Sequence, residues 1–391
     1  MESRRDFLGR GLRSGSLLLL GGLAPPLLAQ PQEGQTSGRS PRASSGGYEL
    51  LDVIPFAGEG TVGTFGKPWG EGLNGRMAYD HSILTSKKLV TPNDRFFIRT
   101  RAPASLDAAG WKIAIDGLVG HPRSISAGEL RTASRPLGAV LLECAGSTKN
   151  SRYGLMSAAE WAGVPVSEVL APAAPDAAAT QVLVSGLDPE VGPDPGAGWI
   201  FPLEELENAG AALAVEMNGA PLPGDHGHPV RLVVPGWYGC CWVKWVDRIT
   251  LLGGDAAATP QMLEYAGRTH QGGQPRLARD YSPAVIDQAA MPVRVEMWRR
   301  EGEIFYRVVG VAWGGSRPTD RLSIAFGPGG SYVPVEHFDH RTNRTWTLWS
   351  HVWRPRRPGR YKIELSFDDP TIRTRRMDLG FYLRSVQIAE I

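Results

Sequence analysis

Cysteine is almost missing from this chain, with three in 391 residues, at positions 144, 240 and 241. An odd number containing one adjacent pair is a poor disulfide framework, so the fold must rest on hydrophobic cores. The thiols are left to pack as small hydrophobes or to act as ligands. Net charge is almost missing too, formally +2. So small a charge gives no electrostatic basis for binding nucleic acid or an anionic membrane. No apolar run is long enough to span a bilayer, no Cys-x-x-Cys-His haem attachment occurs, and no internal repeat is present.

What remains is the composition of a loop-rich globular protein. Hydrophobic residues make up 42% of the chain, and 48 Gly and 31 Pro favour many short strands over a helical bundle. The length predicts two domains plus extensions. At the start, Arg4-Arg5-Asp6-Phe7-Leu8 precedes the weakly apolar stretches 17–20 and 24–29, which resembles a twin-arginine export signal. Removing residues 1–29 takes away four arginines and two acids, so +2 becomes 0. Residues 30–49, rich in Gln, Ser, Gly and Pro, read as a flexible linker, and the mature protein is expected in the periplasm.

Strands are predicted at 96–98, at 111–117, where alternation ends in a turn, at 139–142, 182–184 and 230–234, and within 242–252. A capping-box pattern begins at Ser157 and ends in Glu160, followed by a helix at 166–170. A second helix is expected from Pro202, with acids near its positive end. The segment 253–260 is the best domain boundary, and an irregular connection follows to about residue 290. From 291 the pattern is purely β, with strands at 293–298, 304–313, 321–326, 332–337, 345–353, 360–367 and 380–391.

Three motifs carry chemistry. Leu141-Leu142-Glu143-Cys144-Ala145-Gly146 puts a thiol at a strand end broken by glycine. Arg95-Phe96-Phe97-Ile98-Arg99 precedes it, and Asp225-His226-Gly227-His228-Pro229-Val230-Arg231 follows. Taken singly, each has an ordinary structural explanation as a packed thiol, a solvated arginine or a core histidine. In this order the set resembles the sulfite oxidase family of molybdenum-pterin enzymes. The resemblance covers about residues 50–390 and includes Gly310-Val311-Ala312-Trp313-Gly314-Gly315 and Trp346-Thr347-Leu348-Trp349.

The resemblance implies an α+β fold: a mixed α/β cofactor domain at 50–255, a connection at 256–290 and an all-β immunoglobulin-like sandwich at 291–391 that makes a homodimer contact. It implies molybdenum-molybdopterin as cofactor, with Cys144 as the protein's metal ligand, since a soft sulfur suits a redox-active metal. Cofactor-binding positions carried over are Phe97, Ile98, Arg99, Thr100, Arg101, Asp188, His226, Arg231, Trp242, Val243 and Lys244, with Trp242 and Val243 contacting mainly through backbone. Arg231 is expected to clamp a phosphate, and Arg99 to reach a compact anionic substrate with two parallel hydrogen bonds.

Tyr281, in Arg279-Asp280-Tyr281-Ser282-Pro283, matches the stretch carrying an active-site tyrosine and is expected to donate a hydrogen bond or a proton. Lys149 stands where the family often has arginine, keeping the charge and losing the fork. The implied reaction is oxygen-atom transfer at sulfur, most like sulfite to sulfate. The alternatives are another oxyanion, a sulfoxide, or a metal-free scaffold. With no haem in the chain, electrons would leave to an external acceptor such as cytochrome c. Cys240 and Cys241 are read as packed rather than redox-active, because vicinal disulfides are strained.

Overall fold

The computed structural model describes residues 47–59, 64–103, 106–187, 197–339 and 341–391. The export signal and most of the linker lie outside them, as does Asp188. Four sheets and a few short helices make up the described chain.

Two sheets frame the first part. One has the order Arg123–Ser126, Lys112–Gly117, Val246–Leu252, Gln181–Gly186, Ala197–Pro202, and its single parallel pair joins Lys112–Gly117 to Val246–Leu252. That pair closes the region over a long crossover, so its first and last strands are neighbours. The other sheet runs Arg231–Val233, Ala212–Met217, Met156–Pro165, Arg135–Glu143, wholly antiparallel. The expected helix start at Ser157 is therefore a strand interior. Met156–Pro165 is hydrogen-bonded on both sides, and pairing with two neighbours overrides the local capping pattern. Residues 96–98 are not a strand either; only Ile98 forms a bridge, to Met77, and Phe96 stacks on Phe97.

The last part holds the other two sheets, and its strands follow the period-two pattern closely. Ala289–Arg300, Glu303–Trp313 and Thr347–Trp353 form the centre of one; Leu322–Gly327, Gly359–Phe367 and Arg384–Ile388 form the other. The expected strand at 332–337 is two short pieces, Val333–Pro334 and His337–Phe338, one in each sheet. The expected strand from 380 begins only at Arg384, after a helical turn Arg375–Asp378. Glu49–Ile54 pairs with Ala289–Arg300, so the start of the segment assigned to the cofactor domain joins the C-terminal sheet instead.

Glu303–Trp313 is buried almost throughout because both of its faces are covered. Val309, Val311 and Trp313 belong to the large core of the first part, whereas Tyr306, Val308 and Ala312 join Leu322, Ile324 and Ile363 in a second core between the two C-terminal sheets. Alternation sends odd and even residues to opposite faces. One sheet thus packs on two cores at once and ties the C-terminal layers to the rest.

Of the three histidines buried among the described residues, His81 and His226 are the deepest, each 4% exposed. Loss of hydration on burial pushes both down to about 3, although the carbonyls of Met156 and Asn93 act in the other direction. Both are neutral in the folded protein near neutral pH. Below about pH 6.5 the unfolded chain takes up protons that the folded chain refuses, so the stability they support is complete above that pH and declines as pH falls towards 3. Unfolding free energies from urea titrations should fall as pH is lowered from about 6.5, with a slope that approaches about 1.4 kcal/mol per pH unit for each histidine by about pH 5. A flat profile over that range would contradict their burial as neutral groups.

Candidate active site

The strand Arg135–Glu143 ends at Cys144, whose amide donates to the Leu155 carbonyl at 2.9 Å and whose carbonyl accepts from Ser147 at 2.8 Å. The Gly146 amide points back at the sulfur, 3.4 Å away. This tight turn aims Sγ into a cavity of about 370 Å³, within the range for small-molecule sites. Burial pushes the Cys144 thiol up, against the pull of Arg99, the Gly146 amide and Arg76. The thiol therefore keeps its proton until something stronger takes it, and a metal ion is such an agent.

Opposite the sulfur sits Arg99. Burial works against its charge, but the Tyr265 hydroxyl, with which it hydrogen-bonds, and the Cys144 sulfur outweigh this and raise its pKa. Phe96, Phe97 and Thr100 continue the same wall.

The next wall comes from residues 225–245. Arg231 is 3% exposed and donates to the carbonyls of His226 at 3.1 Å and Trp242 at 3.2 Å, with its guanidinium over the rings of Trp161 and Trp242. Among the described residues it has no carboxylate partner, and burial lowers its pKa to about 9, so it is still charged at neutral pH. Gly227 makes this arrangement possible. At φ +105° it adopts a backbone conformation suited to glycine, and a Cβ there would lie 2.8 Å from Arg231 Cβ and 3.3 Å from Lys244 Cβ. Lys244 Nζ is held by the carbonyls of Thr100 and Asp225 and lies 4.2 Å from the Trp245 ring. His226 Nε2 lies 3.2 Å from the Asn93 carbonyl. Trp242 and Val243 line the cavity, and their carbonyls accept from Arg231 and from the Leu232 amide.

Of the residues singled out in the sequence, Phe97, Arg99, Thr100, Cys144, His226, Arg231, Trp242, Val243 and Lys244 converge on this cavity. Ile98 and Arg101 lie behind it: Ile98 is bridged to Met77, and Arg101 faces Asp225 at 3.6 Å. Lys149 is turned away. After Cys144 the chain folds into the short turn Lys149–Ser151, leaving Lys149 Nζ 3.9 Å from the space beside Gly58. A cation beside the Cys144–Ser147 turn is Arg268, whose guanidinium lies 3.4 Å from a Cβ placed on Gly146.

Tyr281 is 6% exposed and does not line the cavity, and among the described residues its hydroxyl has no partner. The tyrosine in the cavity is Tyr265, at the end of the helix Pro260–Tyr265, accompanied by Gln261 and Glu264. This helix lies in the stretch expected to be an irregular connection. The signal was Thr259-Pro260, a helix N-cap followed by proline at the first helical position. Cys240 also lines the cavity, with its sulfur 3.9 Å from that of Cys241; both are free thiols.

Comparison with known proteins turns this geometry into a family assignment. Residues 100–259 match the family described as the oxidoreductase molybdopterin binding domain. The chain is 30% identical to human mitochondrial sulfite oxidase over 299 residues, covering 70% of this chain and 54% of that protein. The chain belongs to the sulfite oxidase family. It spans about half the length of the curated relatives it matches. The family relatives also include the NADPH nitrate reductase of Neurospora crassa, 29% identical over 309 residues, or 65% of this chain and 31% of that one. The crystal structure of the sulfane dehydrogenase SoxCD from Paracoccus pantotrophus shares the fold, with a TM-score of 0.62 at 19% identity over 83% of this chain and 88% of that one.

A molybdopterin cofactor fits the residues present. Its metal asks for a soft donor, and Cys144 offers one inside the cavity. Its phosphate and dithiolene are anionic, and the walls carry Arg99, Arg231 and Lys244 against Asp225 and Glu264, with Asp225 already facing Arg101. Arg231 carries a buried positive charge with no carboxylate partner among the described residues, a charge that an anionic group of the cofactor would compensate.

Proposed function

We propose that this family member is an exported molybdopterin oxidoreductase acting at sulfur, oxidising sulfite or a closely related oxyanion and passing electrons to an external acceptor such as cytochrome c. The observation carrying this reading is that Arg99 and Cys144 face one cavity, so an anion held by the guanidinium lies beside the sulfur that would bind the metal. Bound there, the cofactor would supply a metal that exchanges oxygen with substrate and electrons with the acceptor.

The chain's own residues do the rest. Arg231, with His226 and Lys244 beside it, would hold the anionic end of the pterin. Arg99 binds substrate oxygens through parallel hydrogen bonds, and Tyr265, bonded to Arg99, orients that fork and can hold a proton at its hydroxyl oxygen. Phe96, Phe97 and Trp242 present apolar surface that limits water. The C-terminal sheets would form an immunoglobulin-like dimerisation module, and the twin arginines at Arg4 and Arg5 would direct export of the folded chain.

Protein matured in a host that makes the cofactor should contain stoichiometric molybdenum and oxidise sulfite with cytochrome c, saturating at micromolar substrate. Molybdenum without sulfite turnover, but with turnover of nitrate or a sulfoxide, would move the assignment to the second reading. That reading is favoured by the nitrate reductase relatives and by a cavity whose cations suit any compact oxyanion. No molybdenum at all would leave a metal-free scaffold.

A further inference from the structure

Glu143, the residue before Cys144, is 1% exposed. Its carboxylate accepts three hydrogen bonds, and none of the donors comes from its own part of the chain. Oε2 accepts from Trp313 Nε1 at 2.8 Å, and Oε1 accepts from Arg376 Nη1 at 3.2 Å and Tyr382 Oη at 2.9 Å. Arg376 reaches further. Its Nη2 donates to the Ala145 carbonyl at 3.1 Å and to the Arg268 carbonyl at 2.9 Å. One guanidinium thus holds the residues on both sides of Cys144 and the segment carrying Arg268, while its face lies 4.4 Å from the centre of the Tyr238 ring. A buried carboxylate is tolerated only with such partners. Gly146, directly beyond, gives the loop little stiffness of its own.

We propose that Arg376, with Tyr382 and Trp313, is a positioning clamp for Cys144: the C-terminal segment sets where the cavity sulfur points. The C-terminal sheets are then part of the active site's construction and more than an appended module. The clamp is a property of the chain itself, independent of which metal or substrate the cavity takes. It acts through Glu143 and the Ala145 carbonyl without touching the reacting atoms.

The test uses the full chain prepared without cofactor and reads alkylation by iodoacetamide. In that reaction the cysteine sulfur forms a bond to carbon, iodide leaves and the thiol proton is released. Cys240, on the same cavity but not hydrogen-bonded by Arg376, serves as the internal reference, with both sites quantified by peptide mass mapping. Arg376→Met is expected to raise Cys144 alkylation relative to Cys240 about tenfold, as the loop opens locally. Arg376→Lys should restore part of the protection. Tyr382→Phe, which removes one donor and keeps the ring, should give a smaller rise in the same direction and decides the matter if Arg376→Met fails to fold. An unchanged ratio in Tyr382→Phe and in folded Arg376→Met would overturn the clamp. So would Cys144 and Cys240 rising together, because that reports general loosening. Since no metal enters the assay, its failure leaves the proposed reaction standing, and a protein without molybdenum leaves the clamp standing.

Discussion

Cys144→Ser should leave a folded protein with lowered molybdenum content and turnover reduced by more than about 100-fold, beyond the losses typical of outer-shell changes at metal sites. The fold survives because the change is nearly isosteric. Serine Oγ can accept the Gly146 amide that Sγ accepts now, and the packing cost of one buried sulfur-to-oxygen change is about 1–3 kcal/mol. The chemistry does not survive, because a hydroxyl buried as Cys144 is does not ionise near neutral pH and oxygen is a hard donor where a soft one is required. Elemental analysis, sulfite turnover and circular dichroism on the same preparation check all three parts. A variant that retained metal and activity would sink the ligand assignment.

Arg231→Ala should lower molybdenum and pterin occupancy at least about tenfold, the loss of one charge-assisted contact to an anion. The stability of the cofactor-free chain should move by less than about 2 kcal/mol, because two effects oppose. Removing a buried cation without a carboxylate partner relieves a desolvation cost, whereas the carbonyls of His226 and Trp242 lose their donor. Pterin content by fluorescence after oxidative release, set beside thermal melting of the unloaded protein, separates the two. Full occupancy in the variant would place the anion clamp elsewhere, and a collapse of the unloaded protein would make Arg231 a structural residue first.

Local rules served where neighbouring residues decide the outcome. The C-terminal strands were legible because alternation of apolar residues is set by the strand's own pleat, whatever the partner. Cys144 was legible as a strand-end thiol because Leu141, Leu142 and Gly146 flank it, and the 225–231 motif because Gly227 carries its own conformational demand. Local rules failed where pairing or cavity shape decides. Ser157 looked like a helix start until strands on both sides claimed it, and Tyr281 looked like the cavity tyrosine because its neighbours Arg279 and Asp280 match a motif. Lys149 lies close to Cys144 in sequence yet does not line the cavity, because the short turn Lys149–Ser151 places its Nζ beside Gly58.

The alternation of strands, the order of the thiol and basic motifs, and through them the family, follow from the order of residues along the chain. It took the folded chain to bring Tyr265 rather than Tyr281 to Arg99, to set Glu49–Ile54 beside a C-terminal sheet, and to let Arg376 grip the loop of a cysteine 232 residues before it. The reason is physical. Periodicity and motif spacing report forces acting along a few residues of chain, whereas a cavity wall or a buried ion pair forms between segments whose separation in sequence says nothing of their distance in space.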